Sequence, residues 1–543
     1  MDVIEKPNAA DQSGLTLTPH SLLPSVIFVL TSTYLLTFCR YSALEPDEGI
    51  VLRGAERVLH GQVPYRDFFS FYTPGSYYLV AALFRIFGDT FFVARASIAI
   101  TGGFCATLTY LLARRFCSAG IAALAAALTA VAGVSYRFLV LHNWYSTLLC
   151  CAGLYAAMRL LETRTLRWSF GTGIAASSAV LFEQSKGAGL CLGLGLGVIV
   201  LAWRTDIRLS RRQWAAIAVG LLVPFVLTVG YFFSEHAIGA MVRDWLWPLR
   251  HYAMANHVPY GYQNWSAEER QALFHRGSFA AKAVKTVGVS SGFIVPVLPI
   301  FALLILVYLL FRVPKKQNNN LHPFGHYALF SSVAVGLLLS VLASRSDIIH
   351  LMYLAPLWYL VLAWTLDHKG RGLLLNLQRL WFAYVVLAFF LMSFAVFLRV
   401  RGAANRIETR RGLITTSAPD TVIPYVQAHT SSDDGLLVYP YLPLYNYLTS
   451  TESPVSLDYF QPGMNTPEQA GEIISALQRS PDVLFEPEFS RKVATAWPGT
   501  PTDAVATDPV ASYIRENYRV CALLQSAIGG RFEFRVRKQL NCR

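Results

Sequence analysis

Eleven stretches of mostly apolar residues, each close to the length a helix needs to cross a hydrocarbon core, constrain this chain more than any other feature. A helix satisfies its own backbone hydrogen bonds and rises about 1.5 Å per residue, so roughly 20 apolar residues span a bilayer. The stretches lie near 21–39, 92–113, 117–134, 144–161, 168–183, 187–203, 213–233, 287–311, 324–343, 350–366 and 380–400. With 54% hydrophobic and only 15% charged residues, the balance argues against an ordinary soluble enzyme, whose charged share is about 25%.

The segment 75–88, GSYYLVAALFRIFG, is shorter and carries Arg85; charge decides how it reads. Without it as a span, one set of loops collects fifteen basic residues: Arg114, Arg115, Arg159, Arg164, Arg167, Arg204, Arg208, Arg211, Arg212, Arg312, Lys315, Lys316, Lys369, Arg371 and Arg379. The opposite short loops carry only Arg137, Lys186 and Arg345. Cytoplasmic loops gather Lys and Arg, so 75–88 reads as an interfacial helix. The expected layout is an α-helical polytopic membrane protein of about 11 spans, N-terminus cytoplasmic and C-terminus outside. The +13 net charge thereby becomes a topology signal, with no call for nucleic acid.

The first span lacks a basic leader and an A-x-A-like cleavage site, and reads as a retained signal anchor. Three units follow: a cytoplasmic tail 1–20, a membrane domain 21–400 with external loops 40–91 and 234–286, and an external soluble α/β domain 401–543. In the last, GLLVYPYL (435–442) is strand-like and EQAGEIISALQRS (468–480) has helical period. Residues 518–539 predict a hairpin turning at Gly-Gly. Cys521 and Cys542 either pair in an oxidising compartment or stay free thiols.

The sharpest local feature is EPDEG (45–49), directly after the first span. Asp47 and Glu48 there either take a proton from an acceptor hydroxyl, hold a divalent cation, or simply cap the helix that follows. An amphipathic stretch, 50–61, comes next. Further on, Asp47-Glu48-Gly49, Gly61-x-x-Pro64-Tyr65-Arg66-Asp67, Tyr72-Thr73-Pro74-Gly75-x-Tyr77-Tyr78, Phe87-Gly88, Ala94-Arg95 and Arg114-Arg115 together form a series. Over residues 20–120 that series resembles the GT-C membrane glycosyltransferases, in the bacterial branch related to protein O-mannosyltransferases and to the aminoarabinose transferase acting on lipid A. The resemblance implies a polyprenyl-phosphate sugar donor, an acidic motif that engages the acceptor, and inversion. It makes Asp47 the base and Glu48 its neighbour or metal-binding partner, and gives Arg66, Asp67 and Tyr72 supporting roles around the acceptor loop. One departure stands out. The family's Glu-Lys pair before Pro-Pro, with its phosphate-facing Lys, is replaced by Tyr72-Thr73-Pro74-Gly75.

Other outward groups are candidates for the missing positive charge. Lys186, in the very short loop Glu183-Gln184-Ser185-Lys186, either holds a phosphate or snorkels to the interface. In SRSDIIH (344–350), Arg345 and His350 are candidates for the phosphate. The alternative is an Arg345–Asp347 pair with His350 opening the next helix. Arg137, His142 and Asn143 form a weaker set suited to loop packing, in which His142 joins Asp347 as loop support. The aromatic run WLWPLRHYAMANHVPYGYQNW (245–265) reads as an interfacial flap; His251 and His257 lack zinc-protease spacing. Gly189, Gly193 and Gly197 predict close helix packing. The leading expectation is a glycosyltransferase of the bacterial inner membrane whose acceptor is a lipid, polysaccharide or protein. The alternatives are a transporter or lipid flippase, or a non-catalytic cell-envelope assembly protein on the same scaffold.

Overall fold

In a computed structural model the structure describes residues 19–205, 207–251, 256–311, 321–367, 372–458, 460, 465–479, 481–501, 503 and 506–542. Arg312, Lys315, Lys316, Lys369 and Arg371, and the tail before residue 19, lie outside the described residues. Each expected span is helical: α1 (Pro19–Leu36), α4 (Phe91–Ala113), α5 (Ala119–Leu128, continued as a π-turn Thr129–Val134), α6 (His142–Thr163), α7 (Leu166–Phe182), α8 (Gln184–Arg204) and α9 (Arg211–Ser234) come first. After α10 (Ile238–His251) and α11 (Ala267–Phe274), the bundle closes with α12 (Phe279–Phe311), α13 (Leu321–Ser344), α14 (Ile348–Tyr353), α15 (Ala355–Asp367) and α16 (Leu373–Arg401). Among the described residues six helices are long and apolar enough to cross a membrane: α4, α8, α9, α12, α13 and α16. On α9 the large apolar side chains Val226, Leu227 and Phe233 stand exposed, which suits a helix surrounded by lipid.

Close packing inside the bundle follows the glycine spacing. A Cβ on Gly193 would lie 2.5 Å from the Val333 Cα of α13, so only glycine allows the two backbones to meet there.

Two short helices pack on each other beside the bundle: α2 (Pro46–Leu59) and α3 (Gly75–Phe87, 13 residues). Pro46 at the first helical position and Asp47 and Glu48 in the first turn are the residues a helix N-terminus favours. The amphipathic stretch 50–61 does not leave its charged face in water, because the C-terminal region covers it with opposite charges. Arg53 bonds both Glu56 and Glu452, Arg411 joins Glu56 to Asp89, and Arg57 meets Asp458 at 3.1 Å.

That C-terminal region is the small α/β unit read from the sequence. Its first hairpin, β1 (Asn405–Thr409) with β2 (Gly412–Thr416), clips onto the chain after α1 through Ser42 N–H to the Thr415 carbonyl, 2.9 Å, and Thr415 N–H to the Arg40 carbonyl, 2.7 Å. Then follow α17 (Val422–His429), β3 (Leu436–Tyr439), α18 (Leu444–Thr449), α19 (Pro467–Gln478), β4 (Asp482–Phe485), α20 (Phe489–Ala496), α21 (Pro509–Asn517), β5 (Tyr518–Gln525) and β6 (Arg531–Arg537). The sheet order is β3-β4-β6-β5, with β3 and β4 parallel and the other pairs antiparallel. Gly529 and Gly530 turn the β5–β6 hairpin with positive φ, and Cys521 and Cys542 form a disulfide.

Membrane bundle and C-terminal region share one core. Leu35, Leu44, Leu52 and Trp144 are buried in the same cluster as Leu436, Leu444 and Phe532. The contact is tightest at Gly49, where a Cβ would sit 2.2 Å from the Leu444 backbone nitrogen. Gly49→Ala should therefore wedge α2 off α18 at a cost of about 3 kcal/mol, the upper end for overpacking, since backbone cannot swing away. Thermal unfolding in detergent and faster proteolysis of the C-terminal region would show it; an unchanged unfolding temperature would contradict this packing.

Candidate active site

The rotation of about 100° between neighbouring helical residues sends Asp47 and Glu48 to different places. Glu48 is fully buried and faces Arg95 of α4, with Oε1 at 2.5 Å from Nε and Oε2 at 2.5 Å from Nη2. Its Oε1 also accepts the Val140 N–H at 2.9 Å. The oxygens of Glu48 are therefore spent on holding α2 to α4 and to the segment before α6. Asp47 turns instead into a cleft between the bundle and the C-terminal region. The phenol of Tyr441, three residues before α18, donates to its Oδ1.

The surroundings of Asp47 are mainly charged and aromatic. Burial pushes its carboxyl above the ordinary carboxylate range, while the Tyr441 hydrogen bond pulls it down. Glu45 raises it further; Arg137 and His350 oppose that. Arg137 pairs with Glu45 at 3.1 Å. Tyr353, at the end of α14, feels Arg137, Asp47 and Glu45 alike, so these groups face a common space.

On the neighbouring wall Lys186 is buried, 3.0 Å from Glu183 and 3.3 Å from the Asn143 carbonyl, with the Tyr353 ring 5.4 Å away. Glu183 in turn accepts from Ser146 at 2.7 Å. His142 lies against the ring of Tyr72, centroids 4.3 Å apart, within the electrostatic reach of Glu183, Lys186 and His350. His350 closes the group: Nδ1 sits 2.6 Å from Asp347 Oδ1, and its side chain is 28% exposed.

Asp347 anchors this corner. It caps α14 by accepting the His350 N–H, and takes Arg345 Nε at 2.5 Å and Asn264 Nδ2 at 3.0 Å. Burial works against its ionisation, but His350 and Arg345 outweigh this and hold the carboxyl well below the usual range. Arg345 is occupied on every side, reaching Asn256 and Asn264 at 3.0 Å each and the Ala496 carbonyl at the end of α20. Arg66 and Asp67 lie apart from the cleft. They pair with each other at 2.8 Å, and Arg66 reaches Glu235 at the end of α9, bracing the external loop.

The structure therefore brings together Asp47, Lys186, His350, His142 and Tyr72, and turns Glu48, Arg345 and Asp347 into braces behind them. A cation at Asp47 and Glu48 does not fit this arrangement: the two carboxylates diverge and Glu48 is fully engaged. No group of three or more His, Cys, Asp or Glu side chains suited to a metal gathers among the described residues. Sequence reasoning missed Tyr441, Glu45 and Tyr353; only Glu45, one residue before Pro46, carried a local sign. Within the aromatic run 245–265, residues 252–255 lie outside the described residues, and Trp247 packs flat on Phe71 at 5.5 Å.

The sequence profile of the dolichyl-phosphate-mannose-protein mannosyltransferases matches residues 72–232, beginning after the acidic motif. No curated protein sequence matches the chain significantly. Among solved structures the chain is similar to ArnT from Cupriavidus metallidurans bound to undecaprenyl phosphate, with TM-score 0.54, 11% identity, and 97% of this chain and 100% of that one covered. The apo state of the same ArnT gives TM-score 0.54, 12% identity and coverage of 95% and 97%. The archaeal oligosaccharyltransferase AglB from Archaeoglobus fulgidus, in complex with an inhibitory peptide and a dolichol-phosphate, is more remote: TM-score 0.48, 11% identity, 96% and 75% covered. The chain has the GT-C fold of ArnT.

The division of labour between the adjacent carboxylates is testable through stability. Glu48→Gln leaves Arg95 buried beside a neutral amide and should cost about 3–5 kcal/mol. Asp47→Asn, at the cleft, should leave the unfolding temperature in detergent unchanged; equal losses for the two would contradict the assignment.

Proposed function

We propose that this chain is an integral membrane glycosyltransferase that moves one sugar from a polyprenyl-phosphate donor to an acceptor hydroxyl at the outer face of a bacterial inner membrane. The N-terminus lies in the cytoplasm and the C-terminal region outside. The GT-C fold, the mannosyltransferase profile over 72–232 and the concentration of basic residues in alternate loops support this reading. The observation that carries it is Asp47. Of the adjacent pair Asp47 and Glu48 it alone faces the cleft, raised by burial above the ordinary carboxylate range and aimed by Tyr441.

In the reaction, the acceptor oxygen attacks the anomeric carbon of the donor and its proton passes to Asp47. The bond from that carbon to the phosphate oxygen breaks, and its electron pair leaves on the lipid phosphate. Attack opposite the leaving group inverts the centre. Lys186 stabilises the departing phosphate as a point charge, with the His350 ring beside it, which is where a transition state gains most from fixed positive groups. Lys186 is held ready by Glu183 and the Asn143 carbonyl, and the Nε2 of His350 has no partner among the described residues. These two take the place of the family's motif lysine, which this sequence replaces with Tyr72-Thr73. Arg345 and Asp347 act through His350 as positioning residues, and Arg66 and Asp67 hold the loop in shape.

Transfer from radiolabelled polyprenyl-phosphate sugars tests the assignment. Asp47→Asn should lower kcat by about 10²-fold or more, the span of general-base catalysis, with donor KM little changed; undiminished transfer would remove Asp47 from the role. The Tyr441 hydrogen bond favours the ionised carboxylate, so Tyr441→Phe should raise the Asp47 pKa and move the acidic limb of the kcat/KM profile to higher pH. A limb that stays in place would show that Tyr441 is merely packed there.

A further inference from the structure

The C-terminal region holds a cavity of about 220 Å3 between β3, β4, α20 and α21 that the reaction above does not use. Its walls are the rings of Tyr439, Phe485 and Phe489, with Glu486, Asp508 and Arg515 as the charged groups. An apolar cavity of about 150 Å3 takes up benzene, so this one has room for a single six-membered ring bearing substituents. Its neighbourhood matters as much as its size. Phe489 packs in one cluster with Ile50, Trp247 and Tyr441, and Tyr441 carries the hydroxyl that reaches Asp47. One wall of the cavity thus belongs to the cluster that carries Tyr441 to Asp47.

Charge narrows what would enter. Glu486 and Asp508 are 3% and 8% exposed, too buried to be a solvated acidic patch. Lys492 pairs with Glu486 at 2.6 Å, and the Arg515 guanidinium acts on Asp508 from the cavity rim. Two negative charges face two positive ones, which leaves no excess of either sign to attract an ion. Burial also lifts both carboxyls above their ordinary range, which suits hydrogen bonding to neutral partners. Asp508 accepts the Tyr439 phenol at 2.5 Å and the Val510 N–H at 3.1 Å, so it is fixed in place with lone pairs left over. Arg515 lies 5.4 Å over the Phe485 ring and makes no hydrogen bond or ion pair among the described residues, so its N–H groups remain available. Flat apolar walls combined with fixed acceptors and a free donor match a molecule with apolar faces and hydroxyls around its edge. A hydrocarbon would strand the buried carboxylates, and an anion would meet them directly.

We infer that this cavity binds a neutral monosaccharide unit and holds the sugar portion of the acceptor while its reactive hydroxyl lies at Asp47. The acceptor is then a glycan or glycolipid, a choice that rests on the transferase reading but is read by an independent measurement. That measurement is saturation-transfer NMR on the full chain in detergent, with free aldohexoses, aldopentoses and N-acetylhexosamines as probes and no donor present. At least one sugar should receive transfer from the wild type, and equally from Asp47→Asn. Ala506 lines the cavity but is exposed, so Ala506→Trp should fill the space without disturbing the core and weaken the signal about tenfold. Arg515→Gln, also at an exposed position, should weaken it in the same direction. Signals from no sugar, or signals that survive Ala506→Trp in a chain with the wild-type unfolding temperature, would overturn the site. If Ala506→Trp fails to fold, the Arg515→Gln result decides. Binding that follows this pattern in a chain inactive in every transfer assay would uphold the cavity and count against the transferase reading alone.

Discussion

Neighbouring residues on a helix point about 100° apart, so Asp47 and Glu48 cannot serve the same space. The bidentate pairing of Glu48 with Arg95 settles which one turns inward. An unpaired charge at that depth would be expensive, and the pair fixes both the rotation of α2 and its height over the bundle. Once that is set, Asp47 has one direction left, the cleft. The buried pair is the structural half of the acidic motif, and in the proposed reaction Asp47 is the chemical half.

The same helix explains why the C-terminal region is part of the working molecule and not an appendage. α2 is buried along Glu48–Arg57, and its charges find their partners in Glu452, Asp458 and Arg411. Gly49 brings its backbone against α18. Tyr441 then arrives at Asp47 from a segment whose position depends on that docking. In this arrangement the sheet domain contributes a hydroxyl to the cleft, through Tyr441, and a cavity behind it.

Much of the fold was legible because lipid leaves so few solutions. Each expected span is helical, the short segment 75–88 is a separate 13-residue helix, and the hairpin turns at Gly529-Gly530. These are local signals, written in period and punctuation. The site was legible only in part, because its decisive contacts are between residues far apart in sequence. In SRSDIIH the Arg345–Asp347 pair was legible as one of two local readings and is the one that forms, but the other partners of Arg345, Asn256, Asn264 and Ala496, come from two distant segments. Glu48 is indistinguishable from Asp47 until Arg95, 47 residues on, is folded against it. Tyr441 sits in a tyrosine- and proline-rich turn with nothing to mark it. Lys186 stands out in sequence because a lysine between two closely spaced spans must be paired, functional or snorkelling, and the structure buries it paired with Glu183.

In the proposed reaction the leaving phosphate of the lipid donor lies between Lys186 and His350, opposite Asp47. A cryo-electron microscopy map of the full chain with undecaprenyl phosphate tests it most directly. The account predicts phosphate density in hydrogen-bonding contact with Lys186 Nζ or His350 Nε2, with the polyprenyl chain running out between membrane helices. Phosphate density held by other residues and away from the Asp47 cleft would contradict it.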